Sequence, residues 1–421
     1  QSDIVIKSEV TLCLSGHTMD LNGHNITING DAETEASLAL HDCVGSGSIT
    51  GGDGGKPRSD GYGGAVYVGA RATFSMYGGT ITQNTAYYGG GLYLGGLNNK
   101  EITSRMSGSA KITGNTATYG GGMYVSNGTG SFSMSENAQI AENTASNGGG
   151  VYVNYTGFSM SESAKIAQNK ATTNGGGVYL AGSSSKGSFS MSESAQIAEN
   201  TARNGGGGYV TGSFSMSGSA EITGNDATSN GGGAYVTGSN GSFSMSGSAK
   251  ITGNTADYGG GGHVSSRSSF SMSESAQIAK NTATAGGGAY VTSNGSFSMS
   301  GSTEIVRNTA DSNGGGLFMD GTAFTVSGNV KVTGNGKSTA DGTDNNVRLA
   351  RGGKTVTIGT GGLQDGAEIG VNMLQAGVFT SGGGEAYEGY FYSDSFHHVI
   401  VKESGERLSF ETGRRPRPVF E

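Results

Sequence analysis

Tryptophan is absent, cysteine occurs twice, proline three times, and charged residues make up only 14% of the 421-residue chain. Each scarcity removes a class of protein. Three prolines cannot sustain a Gly-X-Y period, so the 81 glycines do not signal collagen. Low charge beside an evenly spread 33% of apolar residues is unlike a highly charged disordered chain. No run approaches the ~18 consecutive apolar residues of a membrane-crossing helix, and glycine is penalised in helix interiors, so neither a transmembrane segment nor a helical bundle is expected. The net charge of −8 leaves no basic face to neutralise phosphates, which argues against nucleic acid as a partner. The single basic cluster, Arg414, Arg415 and Arg417, reads as a linker or a leftover of cloning. Gln1 is not an initiator Met, so if the protein is exported its targeting segment is expected to have been removed. What remains is an all-β chain with many turns, about one residue in five being glycine against the usual ~7%.

The chain repeats itself. The aromatic after each glycine run falls at Tyr67, Tyr93, Tyr124, Tyr152, Tyr179, Tyr209, Tyr235, His263, Tyr290 and Phe318, in steps of 26 to 31 residues. A fixed period of this length is the mark of a solenoid, in which each unit buries its apolar face only against its neighbours. Within a unit, apolar residues alternate, which predicts strands. Three are expected per unit. They are F-S-M-S (Phe132 and Met134), A-Q-I-A with its Ile inward, and G-V-Y-V (Val151-Tyr152-Val153). The predicted fold is an all-β, right-handed parallel β-helix of about ten coils of ~28 residues with N- and C-terminal caps, the hand following the rule for parallel crossovers. Residues 1–60 read as the N-terminal cap and first coils, 61–335 as the repeat region, and 336–421 as irregular coils with a terminal hairpin over the last open edge.

Stacking turns every position into a ladder with a 4.7–4.9 Å step. Asn84, Asn115, Asn143, Asn169, Asn200, Asn225, Asn254, Asn281, Asn308 and Asn335 recur as one column, whose amides are expected to bond along the axis. The glycine triplets, often preceded by Asn147, Asn174, Asn204, Asn230 or Asn313, read as corners needing φ > 0 and close backbone approach. The residue before the Ile or Val runs Lys111, Gln139, Lys165, Gln196, Glu221, Lys250, Gln277, Glu304, Lys331, with no like charges adjacent, as an outward ladder requires. Cys13 and Cys43 lie almost one period apart, within disulfide reach if stacked, a bond that would suit an extracytoplasmic setting; a reduced, buried pair is the alternative.

Gly63-Gly64-Ala65-Val66, the later glycine-run motifs and the I-x-x-N motif resemble the GGA[ILV] and FxxN repeats of chlamydial polymorphic outer-membrane proteins. More broadly they resemble the β-helical passenger domains of autotransporters and other bacterial surface adhesins. Ile here stands where that family has Phe, and Phe has moved to F-S-M-S. The resemblance implies an exported, cell-surface adhesin or stalk without enzymatic turnover or cofactor. Its partner would be a host or microbial glycan or protein, and the chain would be a monomer or part of a longer surface polypeptide.

With Val151 and Val153 inward, Tyr152 should point out, giving an external aromatic stripe that is doubled near the N-terminal end. Its candidate ligand-binding residues are Tyr62, Tyr67, Tyr88, Tyr93, Tyr119, Tyr124, Tyr152 and Tyr179, with Tyr87 beside them. Such rings suit sugars or a protein partner, or they merely stack and shield the glycine corners. Glu136, Glu162 and Glu193 share one position in consecutive coils, either as a solvated column or bridged by a hard cation such as Ca²⁺. A polysaccharide lyase or glycoside hydrolase is the rival reading. Asp257 with Asp311, and Glu142 with Glu199, are separated by two coils and lack a basic helper, and His397-His398 would face opposite sides of a strand. A lesser alternative is ice or mineral binding by Ser133, Ser135 and their equivalents.

Overall fold

Phe and Met alternate with Ser in one set of strands, and in a stacked coil that alternation sends every apolar side chain to the same interior. The computed structural model describes residues 2–31, 33–55, 61–95, 103–126, 131–182, 187–292, 294–337, 345–350, 353–373, 375–394, 398–403 and 407–412. The basic cluster at Arg414, Arg415 and Arg417, and His397, lie outside them. The fold is an all-β parallel solenoid of about 12 turns of ~28 residues. The count exceeds the ten expected because both caps wind as well. Glu9–Cys13 already pairs in parallel with Ala36–His41, and that strand with Ala72–Met76.

Two compact units divide the chain, Gln1–Thr228 and Ser229–Glu421, and the repeat region contributes turns to both. In the first, Ser131–Met134, Gly157–Met160, Ser188–Met191 and Ser213–Met216 pair Phe on Phe and Met on Met. In the second, Ser242–Met245, Ser269–Met272 and Ser296–Met299 do the same. These rings and thioethers are buried, as are Ile140, Ile166, Val151 and Val153. Each such side chain contributes about 1.5–3 kcal/mol by leaving water. The polar column sits in the expected register, Lys111 beside Gln139, Lys165, Gln196 and Glu221 in turn, and Lys250 beside Gln277, Glu304 and Lys331.

The expectation of three strands per turn needs correction, because a fourth runs between the ladder Asn and the glycine triplet. Thr116–Tyr119, Thr144–Asn147, Lys170–Asn174 and Thr201–Asn204 form it in the first unit, and Thr255–Tyr258, Thr282–Ala285 and Thr309–Asn313 in the second. Only one small apolar side chain, such as Ala145 or Ala171, turns inward in most of these strands, and Thr282–Ala285 buries two alanines, Ala283 and Ala285. The glycine corner that follows is built as anticipated. Gly148 has φ +66°, and a Cβ on Gly149 would lie 2.5 Å from the carbonyl oxygen of Gly176 on the next turn.

At the C-terminal end, His398–Glu403 and Arg407–Thr412 form the anticipated antiparallel hairpin, which also pairs with Gly377–Val378. The Phe410 ring stacks on Phe379 at 4.4 Å and closes the Phe core there. The helix is a single 3-10 segment, Gly384–Tyr390, among the described residues. None of those residues forms a helix long and apolar enough to cross a membrane.

Candidate functional site

The glycine corner carries no side chains, and the strands on either side of it carry tyrosines. The rings therefore meet over it. In the first unit, Tyr67, Tyr93, Tyr124, Tyr152, Tyr179 and Tyr209 stand on the outer side of the V-Y-V strands. Their centroids are 5.4, 5.4, 5.0, 4.5 and 4.9 Å apart, and successive rings stack nearly parallel. Tyr62, Tyr88 and Tyr119 make a second column across the corner, with steps of 5.3 and 5.3 Å. The columns interlock, Tyr62 against Tyr93 at 4.6 Å, Tyr88 against Tyr124 at 5.0 Å and Tyr119 against Tyr152 at 5.6 Å. Tyr87 packs edge-on against Tyr88 at 4.6 Å.

This interlocking buries Tyr93 and Tyr124 to 8% exposure each although both lie outside the core. Burial pushes the Tyr93 hydroxyl up to about 12, and burial followed by the neighbouring tyrosines raises Tyr124 and Tyr152 further. None of these phenols ionises near neutrality. Within the columns each ring face is covered by the next ring, so the wall presents edges and hydroxyls to solvent. In the second unit Tyr235, His263, Tyr290 and Phe318 form a column at the equivalent position. His263 is held between Asn230 Oδ1 at 2.9 Å and Thr292 Oγ1 at 3.3 Å, and burial drops its pKa to about 4.

Where the columns stop, at the N-terminal end of the wall, lies a cavity of about 460 Å³ lined by Asn25, Thr27, Tyr62 and Tyr67. Thr27 occupies the rung next to Tyr67, and Val5 the rung after it. The sequence pattern did not disclose this place, because Thr27 lies outside the repeats. A larger cavity, about 660 Å³, sits in the C-terminal cap among Gly362, Gly383, Glu385, Tyr387 and Lys402. There Lys402 Nζ pairs with Glu388 at 3.5 Å and Glu385 at 4.0 Å, exposed contacts of the kind that contribute little.

The asparagine column is fully buried from Asn84 to Asn335. From Asn115 to Asn225 in the first unit, and from Asn281 to Asn335 in the second, each Oδ1 accepts from the preceding turn's Asn backbone N–H and Nδ2, as Asn143 does from Asn115 at 2.9 and 3.0 Å, and Asn84 Oδ1 accepts the N–H of Gly52. Asn115 Nδ2 also reaches the carbonyls of Ile81 and Thr113. The column's role is to hold turns together. Sequence reasoning missed how it ends. Asn335 bonds to Asn346, and Asn346 donates its N–H and Nδ2 to Asp394 Oδ2 and Oδ1 at 2.7 and 3.0 Å.

Glu136, Glu162 and Glu193 occupy a left-handed corner, with φ of 57°, 56° and 56°, where other turns have Gly108 or Gly218. The Glu136 carboxylate accepts the N–H of Gly108 at 2.8 Å and that of Glu193 the N–H of Glu162 at 2.9 Å. The column thus acts as a backbone cap. Among the described residues no group of three or more His, Cys, Asp or Glu side chains is placed to hold a metal ion. Glu142 and Glu199 take a second left-handed corner with Gln168 between them, whose Nε2 donates to Glu199 at 2.9 Å. Asp257 and Asp311 are exposed. The second Ser of F-S-M-S turns back to the preceding turn, Ser273 Oγ donating to the Met245 carbonyl at 3.3 Å.

Cys13 and Cys43 are both exposed, which corrects the buried alternative, and their Sγ atoms lie 2.9 Å apart. Hydrogen bonds from the Cys43 thiol and the Ser15 hydroxyl lower Cys13 to about 7, while the bond to Cys13 raises Cys43. Set against known protein families, curated proteins and solved structures, the chain matches none.

Proposed function

We propose that this solenoid is the extracellular part of a bacterial surface protein that works by adhesion or display, without turnover, and that its tyrosine wall is the face that meets a glycan. The observation that carries the reading is the concentration of ten tyrosines, from Tyr62 to Tyr209, on the outside of the first unit. Soluble surfaces rarely commit that much aromatic area without a partner, and rigid rings offer contact at low entropy cost. The repeats support a display role, since their buried columns are consumed in holding one turn to the next. The repeat motifs and the stacked tyrosines fit the surface-adhesin resemblance.

The test is an array of host glycans and microbial polysaccharides probed with the purified chain and with a Tyr62→Ala, Tyr87→Ala, Tyr119→Ala variant. Selective retention by the wild type and its loss in the variant support the reading. Failure of the folded wild type to bind any glycan would sink it.

A further inference from the structure

We propose that the cavity at the end of the tyrosine columns takes one uncharged pyranose ring of a glycan, seated against Tyr67 and Tyr62 as the next rung of the ladder. The proposal deepens the adhesive reading and rests on it.

The argument begins with register. Val5, Thr27, Tyr67 and Tyr93 are successive occupants of one outward column. From Tyr67 onward every rung of the first unit is a ring, spaced 4.5 to 5.4 Å from its neighbour. At Thr27 the side chain shrinks to a methyl and a hydroxyl while the backbone keeps its place. The space that a ring would fill at that rung belongs to the cavity, whose ~460 Å³ lies in the lower half of the ~300–1,000 Å³ usual for small-molecule sites. The second column ends at the same place. Tyr62 meets Tyr67 at 6.2 Å with a 47° tilt, so the cavity has an aromatic floor and an aromatic side.

The remaining lining selects the ligand class. Thr27 Oγ1 donates to Asn25 Oδ1 at 3.0 Å, and Asn25 Nδ2 makes only a long 3.5 Å contact with the Gly63 carbonyl. A hydroxyl oxygen and amide N–H groups are thereby left to meet ligand hydroxyls. Among the described residues no charged side chain lines the cavity. A pyranose has what this lining asks for, an apolar C–H face for a ring and a rim of neutral hydroxyls. An aromatic side chain would satisfy the floor and leave the Asn25 amide with only its long contact to the Gly63 carbonyl, which is costly on desolvation. Interior rungs do not compete, since their ring faces are already covered.

The chain contains no tryptophan, and this supplies the test. Tyr67→Trp keeps a ring at the floor and makes a single-Trp protein whose emission reports stacking. It is titrated with lactose, maltotriose, cellotriose, mannotriose and chitotriose, beside the wild type, Thr27→Trp, Tyr67→Ala and Lys170→Ala measured calorimetrically. The expected result is that at least one saccharide shifts the Tyr67→Trp emission and binds the wild type. Thr27→Trp, which fills the rung, and Tyr67→Ala should then weaken binding roughly tenfold or more, with the exposed Lys170→Ala within about twofold of wild type. Circular dichroism melts confirm that each variant folds. Saccharide binding that survives Thr27→Trp, or that leaves the Tyr67→Trp emission unchanged, overturns the placement while the adhesive reading stands. Binding of N-acetyltyrosinamide but of no saccharide overturns the sugar assignment. Absence of glycan binding on the array as well as here overturns both.

Discussion

His263 sits where the other V-Y-V strands carry Tyr or Phe, and the substitution has a cost that depends on pH. The groups around its ring, Asn230, Thr292, Tyr235 and Tyr290, are neutral, and none compensates an imidazolium. Burial holds the folded-state pKa at about 4, below the ordinary imidazole value of 6.5. The stability linked to this site is therefore complete above pH 6.5 and is lost as pH falls toward 4, because the unfolded chain takes up a proton that the folded chain refuses. At ~1.36 kcal/mol per pKa unit, the loss is about 2 kcal/mol at pH 5 and about 3 kcal/mol below pH 4. His263→Tyr should remove this component. Urea midpoints of the two proteins should lie close at pH 7 and diverge at pH 5 in favour of the variant. Equal pH dependence in both would show that the imidazole protonates without penalty. The residue type was legible from the sequence, but its consequence was not, since only the packed column shows that the ring is enclosed.

Among the elements, the strand signals that could be read were those with two large apolar residues in alternation, Phe132 with Met134 and Val151 with Val153. The Thr-Ala strand was not legible because Ala145 or Ala171 alone gives no period. Its ladder is fixed by the backbone bonds of neighbouring turns rather than by side-chain burial. The asparagine column was legible by recurrence, whereas its terminator was not, since Asp394 lies 48 residues beyond Asn346 in a region without repeats. Both can be tested. Asn143→Ala would strip Asn115 of the acceptor for its N–H and its Nδ2, and remove the donor to Asn169 Oδ1 and Ile112 O. Each unsatisfied buried group costs about 1–3 kcal/mol, so a loss of ~3 kcal/mol or more is expected, against near neutrality for the exposed Lys170→Ala. Asp394→Asn would set an amide NH₂ against a donor of Asn346 and should destabilise the second unit despite near-identical size. A fall of less than ~0.5 kcal/mol in the chemical denaturation of either variant would mean that water replaces the ladder bonds.

For the molecule as a whole, a stack of turns has a nearly one-dimensional energetics, in which each turn is held by the two beside it. Among the described residues the first turn has a neighbour on one side. Its strands Ile4–Ile6, Glu9–Cys13 and Thr18–Asp20 are largely exposed, and the inward-register Ile4 is 40% exposed, whereas its equivalent Val151 is completely buried. Local opening should then be graded along the first unit, cheapest at this end and most costly several turns inward. Hydrogen exchange followed by mass spectrometry should show peptides covering residues 4–20 exchanging first, those covering 23–41 next, and those covering 131–180 last. Uniform exchange across the unit would mean that it opens as one cooperative block. The proposed sugar site lies within this gradient, with Thr27 on a turn expected to open readily and Tyr67 one turn deeper. A bound pyranose that bridges these two rungs must slow exchange in 23–29 and 62–68 together and leave 131–180 unchanged. Protection confined to the deeper turns would place the ligand elsewhere on the wall.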